Sequence, residues 1–335
     1  MRIAIFDVSH WHFALYLDAL RDPGITVVGV SDAENFAGQR VARDFGCPLF
    51  PSSEALLESA FDFALVFSRH SEMAGLAERL IARGIPFLIE KPCGVAREQV
   101  ARLRSAAEQA GVFVAVPFIF RVSELLARIR EVNPGPGAAY EHLAFRFIAG
   151  PIGRYERVGC GWMLDRLVAG GGCAINLAVH FIDMIAALTQ QPVARVSGRT
   201  RRFRSDVTVE EQAAFVVSTA SGQIGTVETG YLYPSTADDQ RDFSFSLSHG
   251  ASYIEGHGDA IAVKRKDNLS RRTVAVEFNT DRYYPAFLRR ALDDLRGGRA
   301  PIAGLREAEH ALAVIEAGYR SAERGGEPEV IAASS

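Results

Sequence analysis

The sequence predicts an α/β protein in two parts, a doubly wound parallel sheet followed by an α+β domain built on a large, mostly antiparallel open sheet. Three observations predict it. Up to about residue 120, short apolar runs alternate with helical patterns of about 10 to 15 residues, and parallel neighbours need such a crossover. The run Asn133-Pro134-Gly135-Pro136-Gly137 then breaks the rhythm. Beyond it, long β runs follow one another mostly without a helix-length spacer, as antiparallel strands do.

Taken in order, Arg2–Phe6 is a strand, followed by an amphipathic stretch from His12 to Arg21. Ile25–Val30 is a second strand, ending at Ser31-Asp32, with a helical pattern from Glu34 to Phe45. Phe63–Phe67, Pro86–Ile89 and Val112–Val116 are strands; Glu72–Arg83 and Arg97–Ala110 are helices stopped by Gly84 and Gly111. The β runs of the second part span 139–147, 193–203, 212–219, 223–231, 242–247, 251–255, 260–264 and 273–278. Helices over 282–296 and 305–323 close the chain. The domains expected are 1–120 and 121–335, with the last helices able to return to the first. An open sheet face uncovered by helices predicts a homodimer or homotetramer through the second domain.

Composition narrows the function. Across 335 residues, 48% are apolar and 23% charged, the balance of an ordinary soluble globular protein. A net charge of -3 argues against nucleic acid, and Arg199, Arg201, Arg202 and Arg204 read as a solvated face. The four cysteines are scattered without CxxC spacing, which predicts neither zinc nor disulfides and suits a reducing cytoplasm. No run of 18 uninterrupted apolar residues predicts a membrane span.

Chemistry concentrates in Gly170-Gly171-Gly172 and the apolar helix that follows. Asn176, His180 and Asp183 are spaced four and three apart and share one helical face. A satisfied core histidine is the plain reading, and a catalytic one the alternative. In an open parallel sheet, ligands bind beyond the carboxyl ends of the strands, so the residues just after each strand are the candidates. They are Asp7 through His12, then Asp32, Ser68 with Arg69, and Glu90-Lys91-Pro92. Asp32 suits either a ribose diol or a helix N-cap. His10 and His12 as a metal pair are disfavoured, because i and i+2 on a helix diverge and no third ligand is evident; no metal is expected.

Glu90-Lys91-Pro92, Phe118 to Arg121, the triple glycine with Asn176, His180 and Asp183, and the C-terminal run from Tyr284 to Ser321 resemble the glucose-fructose oxidoreductase and inositol dehydrogenase family, Gfo/Idh/MocA. The resemblance covers nearly the whole chain in order. It implies a Rossmann-type dinucleotide-binding domain, a second α/β domain that assembles through its sheet, and oxidation or reduction at a sugar or polyol carbon. On that resemblance Lys91, His180 and Asn176 are the catalytic set. Ser9, His10, Trp11, Asp32, Ser68, Arg69, Glu90 and Lys91 would hold the cofactor, NAD rather than NADP. Three departures stand out: Asn176 replaces the family's usual Asp, Met73 stands where a histidine is common, and the first turn, Asp7 to His12, has no glycine. The last suggests an alternative, a sugar or metabolite sensor that binds without catalysis.

Overall fold

The computed structural model describes the chain except for residue 9 and residues 33–35, 133–139, 235–240, 251, 267 and 333–335. It divides into two compact units, both discontinuous in sequence. The first comprises residues 1–117, 155–170 and 281–309; the second comprises 118–154, 171–280 and 310–335. Thus 155–170 and 281–309 belong with the first unit although they follow residue 120.

The first unit is built on six strands: β1 (Arg2–Phe6), β2 (Thr26–Ser31), β3 (Leu49–Phe50), β4 (Phe63–Val66), β5 (Phe87–Ile89) and β6 (Val114–Ala115). All pair in parallel, in the order β3-β2-β1-β4-β5-β6. The central strands bear apolar side chains on both faces, and Ile3 to Phe6, Phe63 to Val66 and Phe87 to Ile89 are fully buried, as a sheet covered by helices on both sides requires. The strand order reverses between β1 and β4, opening a crevice beyond their carboxyl ends. Helices His70–Ala82 and Arg97–Ala110 supply crossovers and bury Leu76, Leu80, Val100 and Leu103. The stretch after β1 is a 3₁₀ turn, Phe13–Tyr16, and one helical turn, Leu17–Leu20, shorter than the amphipathic helix expected. Residues 281–309 are tied back by Arg289 to Asp22 at 2.6 Å, by Arg104 to the buried Glu309 at 2.7 Å, and by the Val116 N–H to the Ala303 carbonyl.

The second unit holds β7 (Tyr140–Ala149), β8 (Val193–Arg201), β9 (Gln212–Thr219), β10 (Ile224–Gly230), β11 (Arg241–His249), β12 (Ser252–His257), β13 (Ala260–Arg265), β14 (Asn268–Ala275) and β15 (Glu329–Val330). Their order is β14-β13-β12-β11-β7-β10-β9-β8-β15, antiparallel except for β7 with β10. One face packs on helix Val179–Thr189, whose Phe181 stacks on Phe145 at 5.4 Å and meets Phe243 at 5.6 Å. The other face is lined by Arg146, Val216, Glu228, Tyr253, Glu255 and Arg271 around a concavity of about 1040 Å³. The stretch Arg166–Thr189 is apolar and long enough to cross a membrane, but 89% of its most apolar window is buried, as in a core helix.

Candidate active site

In the first unit the strand ends bring Asp32 and Ser68 to one cavity and His10 and Glu90 to one cluster. Asp7 follows β1 with a φ of 63°, the left-handed backbone that glycine adopts without steric cost. Its N–H donates to the Ser31 carbonyl at 3.0 Å. The turn has therefore kept a glycine's conformation while losing the glycine. Asp7, Asp32, Ser52, Ser53, Ser68 and Glu72 line a cavity of about 340 Å³. Asp32 is buried, and its Oδ2 accepts the Gly38 N–H at 2.7 Å, so one oxygen serves the following helix. A bare Cβ on Gly38 would stand 2.6 Å from the Asp32 Cβ, and glycine there is what lets the helix approach. Arg69 precedes helix His70–Ala82 as its N-cap. Ser9 lies outside the described residues.

His10, Trp11 and His12 form a turn rather than a helix, so the argument that His10 and His12 diverge fails. Their rings lie 4.9 Å apart, and ligand atoms of His10, His12 and Glu90 lie within 4.8 Å of one another. Glu90 is the third group that sequence reasoning missed, since it is 78 residues from His12. Apart from His10 Nε2, the cluster's ring nitrogens and carboxylate oxygens have partners close by. His12 Nδ1 donates to Glu90 Oε2 at 2.9 Å, and the Tyr16 hydroxyl donates to Oε1 at 2.5 Å. The Tyr284 hydroxyl lies 3.2 Å from His12 Nε2, which is left to accept, and the His12 N–H donates to His10 Nδ1 at 3.1 Å. Burial pushes the Glu90 carboxyl up, against the pull of His10 and Lys91. Burial, with His12 beside it, holds His10 well below the usual histidine range. Lys91 is also fully enclosed, at the end of β5, and its peptide bond to Pro92 is cis.

In the second unit the three glycines are explained by what they approach. Gly170, which ends the first unit's segment, caps helix Arg166–Ala169 at φ 83°. A Cβ on Gly171 would lie 2.1 Å from the Tyr319 hydroxyl, and one on Gly172 would lie 2.0 Å from the Glu210 carbonyl. The half-buried Glu210 carboxylate accepts the N–H groups of Gly172 at 2.8 Å and Ala174 at 2.9 Å, and the Tyr319 hydroxyl at 2.9 Å. These bonds hold the start of the helix. Ala174–Ala178 is a π turn leading into Val179–Thr189, so the expected α-helical spacing of Asn176 and His180 is locally widened. Asn176 Nδ2 donates to the Tyr231 hydroxyl at 3.0 Å. His180 is buried edge-on against Phe118 and Phe120, each at 6.1 Å. Asp183 is clamped by Arg121, Nη2 to Oδ1 at 2.7 Å and Nε to Oδ2 at 2.9 Å, which fixes it as a structural anchor one turn beyond His180. The contacts of Tyr231, Glu210 and Tyr319 were not legible from the sequence, because these residues reach the helix from just after β10, from the segment before β9 and from helix Leu305–Glu323.

Residues 10–118 match the oxidoreductase family with an NAD-binding Rossmann fold, and residues 147–251 match the GFO/IDH/MocA C-terminal domain. The chain belongs to the Gfo/Idh/MocA family. Its similarity to a putative UDP-kanosamine synthase oxidoreductase subunit of Amycolatopsis mediterranei is 30% identity over 56% of this chain and 51% of that one. A D-apiose dehydrogenase of Paraburkholderia graminis is 24% identical over 92% of this chain and 84% of the other. The chain spans about half the length of the first curated relatives it matches. Among solved structures, a levoglucosan dehydrogenase in complex with NADH and levoglucosan superposes with a TM-score of 0.85 over 99% of this chain and 100% of that one, at 13% identity. A second, from gentamicin A biosynthesis in complex with NAD, gives 0.84 at 20% identity over 99% and 97%.

Within this Gfo/Idh/MocA chain, the first unit is an NAD-binding Rossmann domain, and its residues fit that cofactor. The cavity beyond β1, β2 and β4 carries a buried carboxylate at the end of β2, and the first turn retains the left-handed backbone. That backbone weakens the reason for reading the glycine-free turn as a sensor's, and a binding-only role is not favoured.

The buried histidines set an acid limit. His70 is enclosed at the start of its helix, Nδ1 donating to the Ala169 carbonyl at 2.8 Å, and burial lowers it to about 4. Between that value and the unfolded value near 6.5, the unfolded chain binds a proton that the folded chain refuses, so stability is present above about 6.5 and is lost as pH falls toward 4. The His70 contribution is at most about 3 kcal/mol at 1.36 kcal/mol per pH unit. Urea midpoints of the parent should fall between pH 7 and pH 5, and His70→Leu should flatten that slope; an equally steep slope in the variant contradicts this assignment.

Proposed function

We propose that the protein is an NAD-dependent dehydrogenase or reductase acting on a CH–OH carbon of a sugar or polyol. The observation that carries the reading is the helix start in the second unit. There Glu210 and the glycines fix Asn176 and His180 on a buried segment that has no packing need for an amide and an imidazole. When bound, NAD would accept the hydride from the CH–OH carbon, and in the reverse direction NADH would donate it to the carbonyl carbon. Asp32 and Ser68 would line its site, together with Glu90, Lys91, Arg69, His10 and Trp11. His180 takes the proton of the reacting hydroxyl or returns it to a carbonyl oxygen. Lys91 steadies negative charge developing on that oxygen. Asn176, tied to Tyr231, orients a neighbouring hydroxyl and takes no proton, because an amide is no base. The relatives, a D-apiose dehydrogenase, a myo-inositol dehydrogenase and a UDP-sugar oxidoreductase subunit, set the first substrates to try. Four free cysteine thiols support a cytoplasmic location.

His180→Ala and Lys91→Ala should each lower kcat by ~10²- to 10⁴-fold, far more than they weaken NAD binding, and near-parental turnover in both would remove the proposed roles. Calorimetry should show NAD bound more tightly than NADP, since a 2′-phosphate would sit against Asp32. Asp7→Gly should tighten NAD binding, by up to about a hundredfold if a phosphate charge lies ~6 Å from the carboxylate at an effective dielectric constant of ~20. Unchanged or weaker binding in that variant would show that Asp7 does not oppose the cofactor. The uncovered sheet face is proposed to meet a second copy of the chain, so light scattering at micromolar concentration should give a dimer or tetramer rather than a monomer.

A further inference from the structure

Among the described residues of the first unit, the buried nitrogens His10 Nε2, His70 Nε2 and Trp162 Nε1 have no hydrogen-bond partner in the protein. Their rings form one cluster, with centroids 5.7 Å apart for His10 and His70, 4.9 Å for His70 and Trp162, and 5.7 Å for His10 and Trp162. Buried polar atoms are almost always satisfied by protein, water or ligand, so three on rings packed against one another call for a shared partner.

The bonds made by the other ring nitrogens say what each exposes. His10 Nδ1 accepts the His12 N–H, so its Nε2 carries the hydrogen. His70 Nδ1 donates to the Ala169 carbonyl, so its Nε2 is a bare lone pair. The indole of Trp162 can only donate. The cluster thus offers two donors and one acceptor, and a hydroxyl group has the matching two lone pairs and one hydrogen. A metal ion has no use for two N–H groups, and a carboxylate or dianionic phosphate has no hydrogen for His70. Burial keeps both imidazoles neutral at pH 7, so the pattern persists there.

We propose that His10, His70 and Trp162 form a subsite that binds one alcoholic hydroxyl. The hydroxyl belongs to a ribose of the dinucleotide or to the sugar substrate. The inference rests on the oxidoreductase reading for the supply of such a ligand, and neither His70 nor Trp162 was a candidate from sequence.

The chain has two tryptophans, so its indole N–H region shows two resonances, and Trp162→Phe assigns one of them. The full-length protein is titrated with NAD, with myo-inositol, and with both. Movement of the Trp162 indole with NAD alone assigns the hydroxyl to the cofactor, and movement only when myo-inositol is present assigns it to the substrate. Trp162→Phe and His70→Leu should then each weaken that ligand by about fivefold, the worth of one hydrogen bond, and leave the other unchanged. An indole that stays still while backbone resonances report saturation overturns the subsite and leaves the oxidoreductase reading intact. Absence of any NAD binding by calorimetry sinks the oxidoreductase reading, and the myo-inositol arm then decides the subsite alone. A shift caused by zinc chloride and by neither organic probe also overturns it, as does a crystal structure of the complex in which only water meets the three nitrogens.

Discussion

The first unit depends on a single buried carboxylate. Glu90 stands at the end of β5, and an unpaired charge at that depth would be costly. It is made tolerable by hydrogen bonds from Tyr16, just after the first turn, and from His12 within it. Tyr284, from the returning segment 281–309, completes the chain through His12. The same contacts fix the wall of the crevice beside β1, where the family's glycines would otherwise let the backbone pack closely. Imidazole and phenol side chains here do by hydrogen bonding what glycines do by being small. In this turn His12 is tied at once to Glu90, to Tyr284 and, through its backbone, to His10.

The second unit solves a related problem differently. The start of its polar helix has backbone N–H groups that need acceptors in a place closed to water. Glu210 supplies them, and because its carbonyl and the Tyr319 hydroxyl approach so closely, only glycine fits at 171 and 172. Asp183 anchors the other end of the site through Arg121. Between these anchors Asn176 and His180 have little freedom to move, which suits groups that must meet a reacting oxygen at a fixed place.

Legibility from sequence followed the range of the interactions. The alternation of strands and helices is local, and β1, β2, β4, β5 and the long strands of the second unit fall close to where the pattern puts them. The two-residue strands β3 and β15 carry too little periodicity to be seen. The triple glycine, His180 and Glu90-Lys91-Pro92 were visible because their chemistry is written in adjacent residues. Tyr231, Glu210, His70 and Trp162 were not, because each matters through partners far along the chain. The left-handed backbone at Asp7 was not legible either, because glycine is read as a residue type, whereas aspartate can adopt that conformation at some cost.

The bond from Tyr319 to Glu210 crosses 109 residues of sequence. Proteins are made from the amino end, and a ribosome shelters the last few tens of residues it has joined. When strands β7 to β10 emerge, the acid that organises the polar helix lacks its phenolic partner, and the space beside Gly171 is still empty. That last hydrogen bond of the helix start can form only once Tyr319 has emerged. The crevice beside β1 waits in the same way, because the Tyr284 hydroxyl that meets His12 lies 272 residues further along the chain.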